Sequence, residues 1–425
     1  MIPRTQAADP ATKPADAAGF RFVRGNGIAW FDYLLIIGIM MAPMTGLRLW
    51  KIGPSELLCF IWSTRYLGHF MNTRFDNPLT RFWWPFFLTL LAGTVYCLFR
   101  YPSESSGLEG VMTWFFMMYI SFGVYYGMKD RSRQEVLRVM EKAGVFSMVW
   151  YTLLLIYSRA VSGYLFGVRL WYGGARFAGG GRNPHQMAIL ALCLVFASLY
   201  VLVREPLGLK KRVLHVVITS FFTVILYLTR STTALMALFA SGALFLALAA
   251  IQYKKAIRDR QVLTIVLLSL GALVVAFGAV WLYQKFMDWV AADPNGLHRF
   301  QLFAYIRDPL TKSPLFGLGD GTHSNAGISE FHNSYLEIIG MTGVIGVILF
   351  IIFTFRLIKT LSIDRLLWAL PFALYIYGLA GFGLRRLPNW VFIGFMLVLA
   401  ALPQTRDEAE KTWPTAPESE PARHG

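Results

Sequence analysis

Long apolar runs recur along nearly the whole chain, and they constrain its fold more than any other feature. Each run is about 18 to 22 residues long, which is the length a helix needs to cross a bilayer core about 30 Å thick. Helices are expected because backbone exposed to lipid must satisfy its own hydrogen bonds. Only 15% of the residues are charged, against about 25% in a typical soluble protein. We therefore expect an all-α polytopic membrane protein.

Twelve transmembrane helices are predicted. They lie at residues 28–47, 53–71, 82–99, 111–128, 145–167, 186–203, 213–229, 233–252, 262–283, 333–355, 366–382 and 388–402. The predicted organisation is a tail at 1–27, nine helices within 28–283, one large loop at 284–332, three helices within 333–402 and a second tail at 403–425. Both tails are rich in Pro, Ala and charge, so we expect them to be disordered.

Lysine and arginine fall unequally on the two sides of these helices. About 25 of the 40 basic residues share the side of the N-terminus, and about 13 lie on the other side. Because positively charged loops stay in the cytoplasm, both termini are expected there and the 284–332 loop on the external side. The net charge of +16 is spread over these loops, so topology explains it and no nucleic-acid partner is expected. The basic segment 129–142 predicts a short amphipathic surface helix.

Two kinds of embedded residue are expected to be structural. The cysteines at 59, 97 and 193 all lie in apolar runs, where cysteine behaves as a small buried hydrophobic residue. Glu56 and Glu337 are embedded acids whose charge would neutralise an arginine, and Arg65 is a candidate partner for Glu56.

Basic residues on the external side are the candidates for chemistry. Arg182 lies at the end of a glycine-rich loop that also contains Arg169 and Arg176, and Pro184 predicts the start of the next helix. Glycines let backbone approach a ligand closely, and the N–H groups at a helix N-terminus suit an anion. A flexible connector with interfacial arginines is the alternative interpretation.

Arg230 stands in the polar break between the apolar runs 213–229 and 233–252. The two runs form either a tight hairpin or one broken helix. In both cases a cation lies at or just inside the outer interface, where charge is costly enough to indicate a function. The alternative is an arginine that snorkels from a turn.

The large loop carries further candidates. Arg299 lies in a predicted amphipathic helix along the membrane surface, and the segment 314–321 is expected to form turns. His323 is expected on a mobile surface strip. His332 immediately precedes a helix, and helical spacing would align it with Tyr335, Leu336 and Ile339 on one stripe. Histidine takes up a proton near neutral pH, so His332 is a candidate general base, with capping or interfacial placement as the alternative.

Taken together, these residues resemble the O-antigen ligase and Wzy polymerase superfamily of inner-membrane glycosyltransferases. The resemblance covers roughly residues 213–355, and the layout of one large loop among twelve spans is similar over most of the chain. The matching elements are Arg230-Ser231, Arg299, the Pro-x-x-Gly-x-Gly segment at 314–319, the His-Asn-x-x-Leu segment at 332–336, and Gly343 and Gly346 in the helix that follows.

The resemblance implies a GT-C-like enzyme of the bacterial inner membrane, with its active site at the periplasmic face. The donor would be a glycan on undecaprenyl pyrophosphate, and the acceptor a sugar hydroxyl of lipid A-core. By position, His332 is implied to be the base, and Arg230 and Arg299 to contact pyrophosphate. Arg182 is a further candidate contact. The expected supporting residues are Asn333, Tyr335 and His185, of which His185 stands where similar proteins are expected to have Asn.

Charge chemistry agrees with this assignment. Pyrophosphate leaving an anomeric carbon needs its negative charge stabilised, and guanidinium groups bind phosphate bidentately. The external loops show no paired carboxylates of the Asp-x-Asp type, so neither a metal nor another cofactor is expected.

Two alternatives stay open. A polymerase would use the same donor chemistry with a second lipid-linked glycan as acceptor. A transporter of lipid-linked oligosaccharide belongs to a different class, and twelve spans with embedded charges suit it. Against the transporter, no two similar six-span halves are evident, and the polar residues concentrate at one face.

Overall fold

A computed structural model describes residues 28–48, 52–66, 68, 77–103, 109–252, 304–325, 331–381 and 383–402. The expected tails at 1–27 and 403–425, the predicted span at 262–283 and Arg299 lie outside these residues.

The described residues are mostly helical, and sheet is confined to two short hairpins. The helices are α1 (Asp32–Met41), α2 (Pro54–Thr64), α3 (Pro78–Arg100), α4 (Glu109–Met128), α5 (Arg133–Ala160), α6 (Pro184–Arg204), α7 (Leu209–Thr229), α8 (Thr232–Gln252), α9 (Arg307–Lys312), α10 (Thr322–Asn325), α11 (Ser334–Leu361), α12 (Ala369–Gly378) and α13 (Leu387–Ala401). The 3-10 turns are Thr45–Leu47, Gly319–Gly321 and Arg365–Trp368. The hairpins pair β1 (Tyr164–Leu165) with β2 (Val168–Arg169) and β3 (Trp171–Tyr172) with β4 (Arg176–Phe177), both antiparallel.

Seven of these helices are long and apolar enough to cross a membrane, namely α3, α4, α5, α6, α7, α8 and α11. Shorter apolar helices, α1 and α13 among them, accompany the seven. Within the described residues the fold is thus the expected all-α polytopic type, while the total of twelve spans stays a prediction.

The basic segment 129–142 is not a separate surface helix, so that prediction is wrong. Ser132 and Glu135 form a capping box, in which the Ser132 backbone N–H donates to Glu135 Oε2 at 2.9 Å and the Glu135 N–H donates to Ser132 Oγ at 3.3 Å. α5 therefore begins at Arg133 and continues through Lys142 into the apolar part of the same helix. It ends at Ala160, so the hairpins take up the last residues of the predicted span 145–167.

Helix α6 lies at the centre of the bundle. Its middle is buried almost completely, from Met187 to Phe196, and it packs against α7, α12 and α13. An apolar surface on every side lets a helix be enclosed in this way. Because α6 is central, its first turn, which begins at Pro184 and is capped by Asn183, lies in the middle of one end of the bundle.

The segment 313–321 packs into a break in α11. Gly343 has a φ of +60°, which interrupts the helix, and the N–H of Val344 donates to the Pro314 carbonyl at 2.9 Å. The Leu318 N–H donates to the Gly340 carbonyl at 3.0 Å. Gly317 also has positive φ, and its missing side chain permits this approach. The Pro-x-x-Gly-x-Gly segment therefore serves backbone packing.

Of the embedded acids, Glu56 does not pair with Arg65. It bonds Arg48 Nη2 at 2.6 Å and accepts from the Gly53 N–H at 3.1 Å, because both groups lie beside the first turn of α2. The cysteines at 59, 97 and 193 are all buried, as expected.

Candidate functional site

A two-residue turn separates α7 from α8. Arg230 ends α7 in the left-handed conformation, with φ +49° and ψ +35°, and its side chain is exposed. The guanidinium of Arg176 donates through Nε to the carbonyl of Thr229 at 3.0 Å, which satisfies one acceptor at the helix end. Of the two interpretations of this break, the structure shows a turn between two helices that pack mainly on different neighbours, α6 and α12.

The polar break is joined to the first turn of α6. Ser231 is fully buried, and its Oγ lies 2.9 Å from Nδ1 of His185. Ser231 Oγ also accepts from the Ala234 N–H at 3.4 Å, near the start of α8. His185 thus links the start of α6 to the start of α8 through Ser231.

Arg182 lies beside the same turn of α6. Its backbone N–H donates to Thr45 Oγ1 at 3.2 Å, and its side chain is exposed. The neighbouring loop is held by the Gly46 N–H, which donates to the Gly180 carbonyl at 3.1 Å. The glycine-rich loop is therefore fastened to the segment after α1 and is not a free connector.

His332 lies outside the helix that follows it. It has a φ of +49°, and its side chain is half-buried. Asn333 is the N-cap of α11 and accepts from the N–H groups of Tyr335 at 2.9 Å and Leu336 at 3.1 Å. The predicted helical stripe through His332 is wrong, because the left-handed residue takes its side chain out of the helical register.

The start of α11 is fastened to the loop that follows α12. Asn333 Nδ2 donates to the Leu379 carbonyl at 2.9 Å. Ser334 Oγ donates to the Gly381 carbonyl at 2.8 Å and accepts from the Gly383 N–H at 2.9 Å. Tyr335 donates to the Tyr375 carbonyl at 2.8 Å, so its hydroxyl is engaged with α12.

Two functional candidates were not identified from the sequence, Arg385 and Arg386. Arg385 Nε lies 2.6 Å from Oε1 of Glu337, which is 1% exposed. The side-chain oxygen of Gln186, in the amide orientation that satisfies both of its polar atoms, accepts from Arg386 Nη1 at 3.1 Å. The sequence signal for them is weak, namely two adjacent arginines in a short loop between the predicted spans 366–382 and 388–402.

These contacts bring the candidates to one end of the bundle, here called the site end. His185, whose ring reaches Ser231, accepts through its carbonyl from the Tyr377 hydroxyl at 3.4 Å, and Tyr377 belongs to the helix that leads to Leu379. A connected set of contacts thus runs from Ser231, beside Arg230, to Ser334, beside His332.

His323 is buried, contrary to the expected surface position. It is 9% exposed, and its ring packs against that of Phe331 with centroids 5.6 Å apart. Its Nε2 lies 3.6 Å from Glu337 Oε1. Burial, and next the charge of Arg385, lower the pKa of His323 to about 3, so it is neutral at neutral pH and forms no ion pair with Glu337.

The electrostatics of the site end favour an anion. Arginines 182, 230, 385 and 386 all belong to it, and Glu337 is the buried acid among them. Guanidinium groups suit phosphate oxygens, and a histidine beside them can accept a proton. Across the described residues, no group of three His, Cys, Asp or Glu side chains is arranged to hold a metal ion.

Residues 215–351 match the family model described as O-antigen ligase. The matched segment contains Arg230, His332 and Glu337, while Arg182, His185 and Arg385 lie outside it. No curated protein matches the chain. The match over residues 215–351 supports the O-antigen ligase/Wzy superfamily that the resemblance predicted.

Proposed function

We propose that this protein is an O-antigen ligase that transfers a glycan from undecaprenyl pyrophosphate to a sugar hydroxyl of lipid A-core. The observation that carries the proposal is that a histidine and an exposed arginine, His332 and Arg230, both lie at the site end and within the matched segment. In this proposal the protein has a GT-C-like architecture and lies in the bacterial inner membrane. Both termini are cytoplasmic and the site end faces the periplasm.

The proposed reaction is a single displacement at the anomeric carbon. His332 takes the proton from the acceptor hydroxyl, whose oxygen attacks the anomeric carbon as the bond to the pyrophosphate oxygen breaks. Inversion gives the new glycosidic bond, and undecaprenyl pyrophosphate leaves. General base catalysis of this kind contributes about 10²- to 10⁴-fold to the rate.

Arg230, Arg299 and Arg182 bind the pyrophosphate in this proposal. Their fixed positive charges stabilise the charge that develops on the leaving group, a role that a metal ion often fills in glycosyltransferases. Arg182 and Arg230 are supported by their exposed side chains at the site end. Asn333 and His185 support the site by fixing the starts of α11 and α6. Tyr335 supports it through its bond to α12.

The test is a transfer assay in EDTA with purified protein, an undecaprenyl-pyrophosphate-linked glycan and either lipid A-core or a second lipid-linked glycan. Wild type is compared with His332→Ala. Glycosylated lipid A-core from wild type alone supports the proposal. Elongated lipid-linked glycan makes the protein a polymerase with the same chemistry. If wild type consumes donor with neither acceptor, the ligase proposal is rejected and transport across vesicles is measured instead.

A further inference from the structure

Glu337 is a buried carboxylate near the start of an otherwise apolar helix. Burying a charge costs several kcal/mol unless it is paired, and replacing a buried ion pair with well-packed apolar residues is often neutral or stabilising. Stability is therefore a weak reason for an acid at this position. A position at the site end, one turn into α11 from His332, points to a role in the site.

Glu337 forms an ion pair with Arg385. The carboxylate lies 2.6 Å from Arg385 Nε. The neighbouring His323 is neutral because of its lowered pKa, so it does not share this charge. Holding an arginine by a carboxylate removes much of its rotamer freedom before a ligand arrives, which is how binding groups are preorganised.

The position of Arg385 is fixed from two further sides. Two residues before it, the Gly383 N–H donates to Ser334 Oγ, and Ser334 begins the helix that follows His332. The next residue, Arg386, bonds Gln186 beside His185 in the first turn of α6. Arg385 thus lies between the start of α11, which follows His332, and the first turn of α6, which follows Arg182.

We propose that Arg385 is an additional binding residue for the donor's pyrophosphate and that Glu337 is the positioning residue that holds it. The inference rests on the proposed function. The guanidinium supplies a rigid, charge-assisted fork for phosphate oxygens, which a lysine would not reproduce. Glu337 itself does not touch the donor and acts only by fixing Arg385.

The variants Arg385→Lys and Glu337→Gln test the inference, with Arg169→Lys on strand β2 as the matched control. Binding of undecaprenyl pyrophosphate and of undecaprenyl phosphate is measured with the full-length protein, together with the KM for donor and for acceptor and the melting temperature. Arg385→Lys is expected to weaken pyrophosphate binding about tenfold, the effect of losing one charge-assisted hydrogen bond. Donor KM rises with it, while monophosphate binding, acceptor KM and the control stay near wild type.

The variant Glu337→Gln tests whether Glu337 positions Arg385. The amide keeps the shape of the carboxylate but removes the charge that holds Arg385, so a smaller loss is expected than for Arg385→Lys. In the double variant the two losses should not add, because both act through the same guanidinium. The variants could instead change the melting temperature and leave the preference for pyrophosphate over monophosphate unchanged. That result would show that Glu337 and Arg385 form a purely structural pair, and it would overturn the inference. A change in acceptor KM alone would overturn it as well.

Failure of the inference and failure of the proposed function give different results. If wild type neither binds undecaprenyl pyrophosphate nor transfers glycan, both are rejected. If wild type does both and Arg230→Lys weakens binding while Arg385→Lys does not, only the role of Arg385 is rejected.

Discussion

Arg230 and His332 share a left-handed backbone, with φ +49° at each, although they lie at the ends of different helices. Such a conformation costs a residue with a Cβ about 1–3 kcal/mol. Glycine adopts it without this cost and is the usual residue after a helix. Glycine would be less strained at both positions. An arginine and a histidine there indicate that the site needs their side chains.

Replacing Arg230 with glycine should separate stability from activity. Arg230→Gly relieves the backbone and removes an exposed side chain, so the protein should be unchanged in stability or gain up to about 1 kcal/mol. Glycan transfer should fall at least about tenfold because a positive charge that stabilises the leaving pyrophosphate is lost. Melting temperature and initial rate are measured together, with Arg230→Lys as a comparison that keeps the strain and the charge but loses the guanidinium fork. A clear drop in melting temperature for Arg230→Gly would mean that the side chain has a packing role.

His185 and Ser231 should behave as a coupled pair. Ser231→Ala leaves the His185 imidazole without its partner at 2.9 Å, and it is expected to cost about 1 kcal/mol. His185→Ala should cost a similar amount, and the double variant little more than either single one. A double-mutant cycle on melting temperature and on transfer rate measures the coupling. Fully additive losses would contradict a functional link between α6 and the Arg230 turn.

Gly343 should not tolerate a side chain. A Cβ there would lie 2.4 Å from the Leu315 carbonyl oxygen, and its φ of +60° is strained for any L-residue. Gly343→Ala is therefore expected to destabilise the protein by more than about 2 kcal/mol and to impair the site through displacement of the 313–321 segment. Gly242→Ala in α8 is the matched control, since a Cβ there would meet no atom within 4 Å beyond the local backbone of its own helix. The control should be neutral or slightly stabilising, and thermal unfolding in detergent measures both variants.

Buried His323 should make the protein sensitive to acid. Its pKa of about 3 in the folded protein lies below the ordinary value of about 6.5, so between these values the unfolded chain binds more protons. The free energy of unfolding is therefore unaffected by this group above pH 6.5 and falls as the pH drops below it, by about 2 kcal/mol at pH 5. Among the described residues, the charged groups that face His323 are Glu337 and Arg385.

The variant His323→Gln isolates this contribution, because glutamine does not titrate. Melting temperature is measured at pH 7.5 and pH 5 for both proteins in the same detergent. The wild type should lose more stability on acidification than the variant. An equal loss in both would show that other groups account for the acid sensitivity.

Much of the fold was predictable because a bilayer restricts which secondary structures can cross it. Long apolar runs such as 186–203 and 213–229 correspond to α6 and α7, which begin two and four residues earlier. Hydropathy failed where polar residues begin a membrane helix, as at Arg133, since a capping box and not hydrophobicity sets that boundary. It also failed for the shortest helices, where α12 is only part of the span predicted at 366–382.

The candidate site was predictable as a set of residues but not as an arrangement. Arg182 stood out as a basic residue on the predicted external side, and Arg230 because charge inside a membrane is costly. His332 stood out because it directly precedes a helix. Arg385 did not stand out, since an arginine in a short loop gives no sign of the buried acid that pairs with it. His323 was placed wrongly for the same reason, because the side chains that enclose it come from distant segments.

By itself the sequence determined that this chain forms apolar helices long enough to cross a membrane and that residues 215–351 match the O-antigen ligase family model. Those features are local, since they depend on apolar length, charge and residue order. Only the tertiary structure decided that His185 meets Ser231, that Glu337 holds Arg385 and that Arg230 and His332 adopt left-handed conformations. Each of these depends on how helix ends meet, which is set by packing across the whole bundle and is not encoded in any single segment.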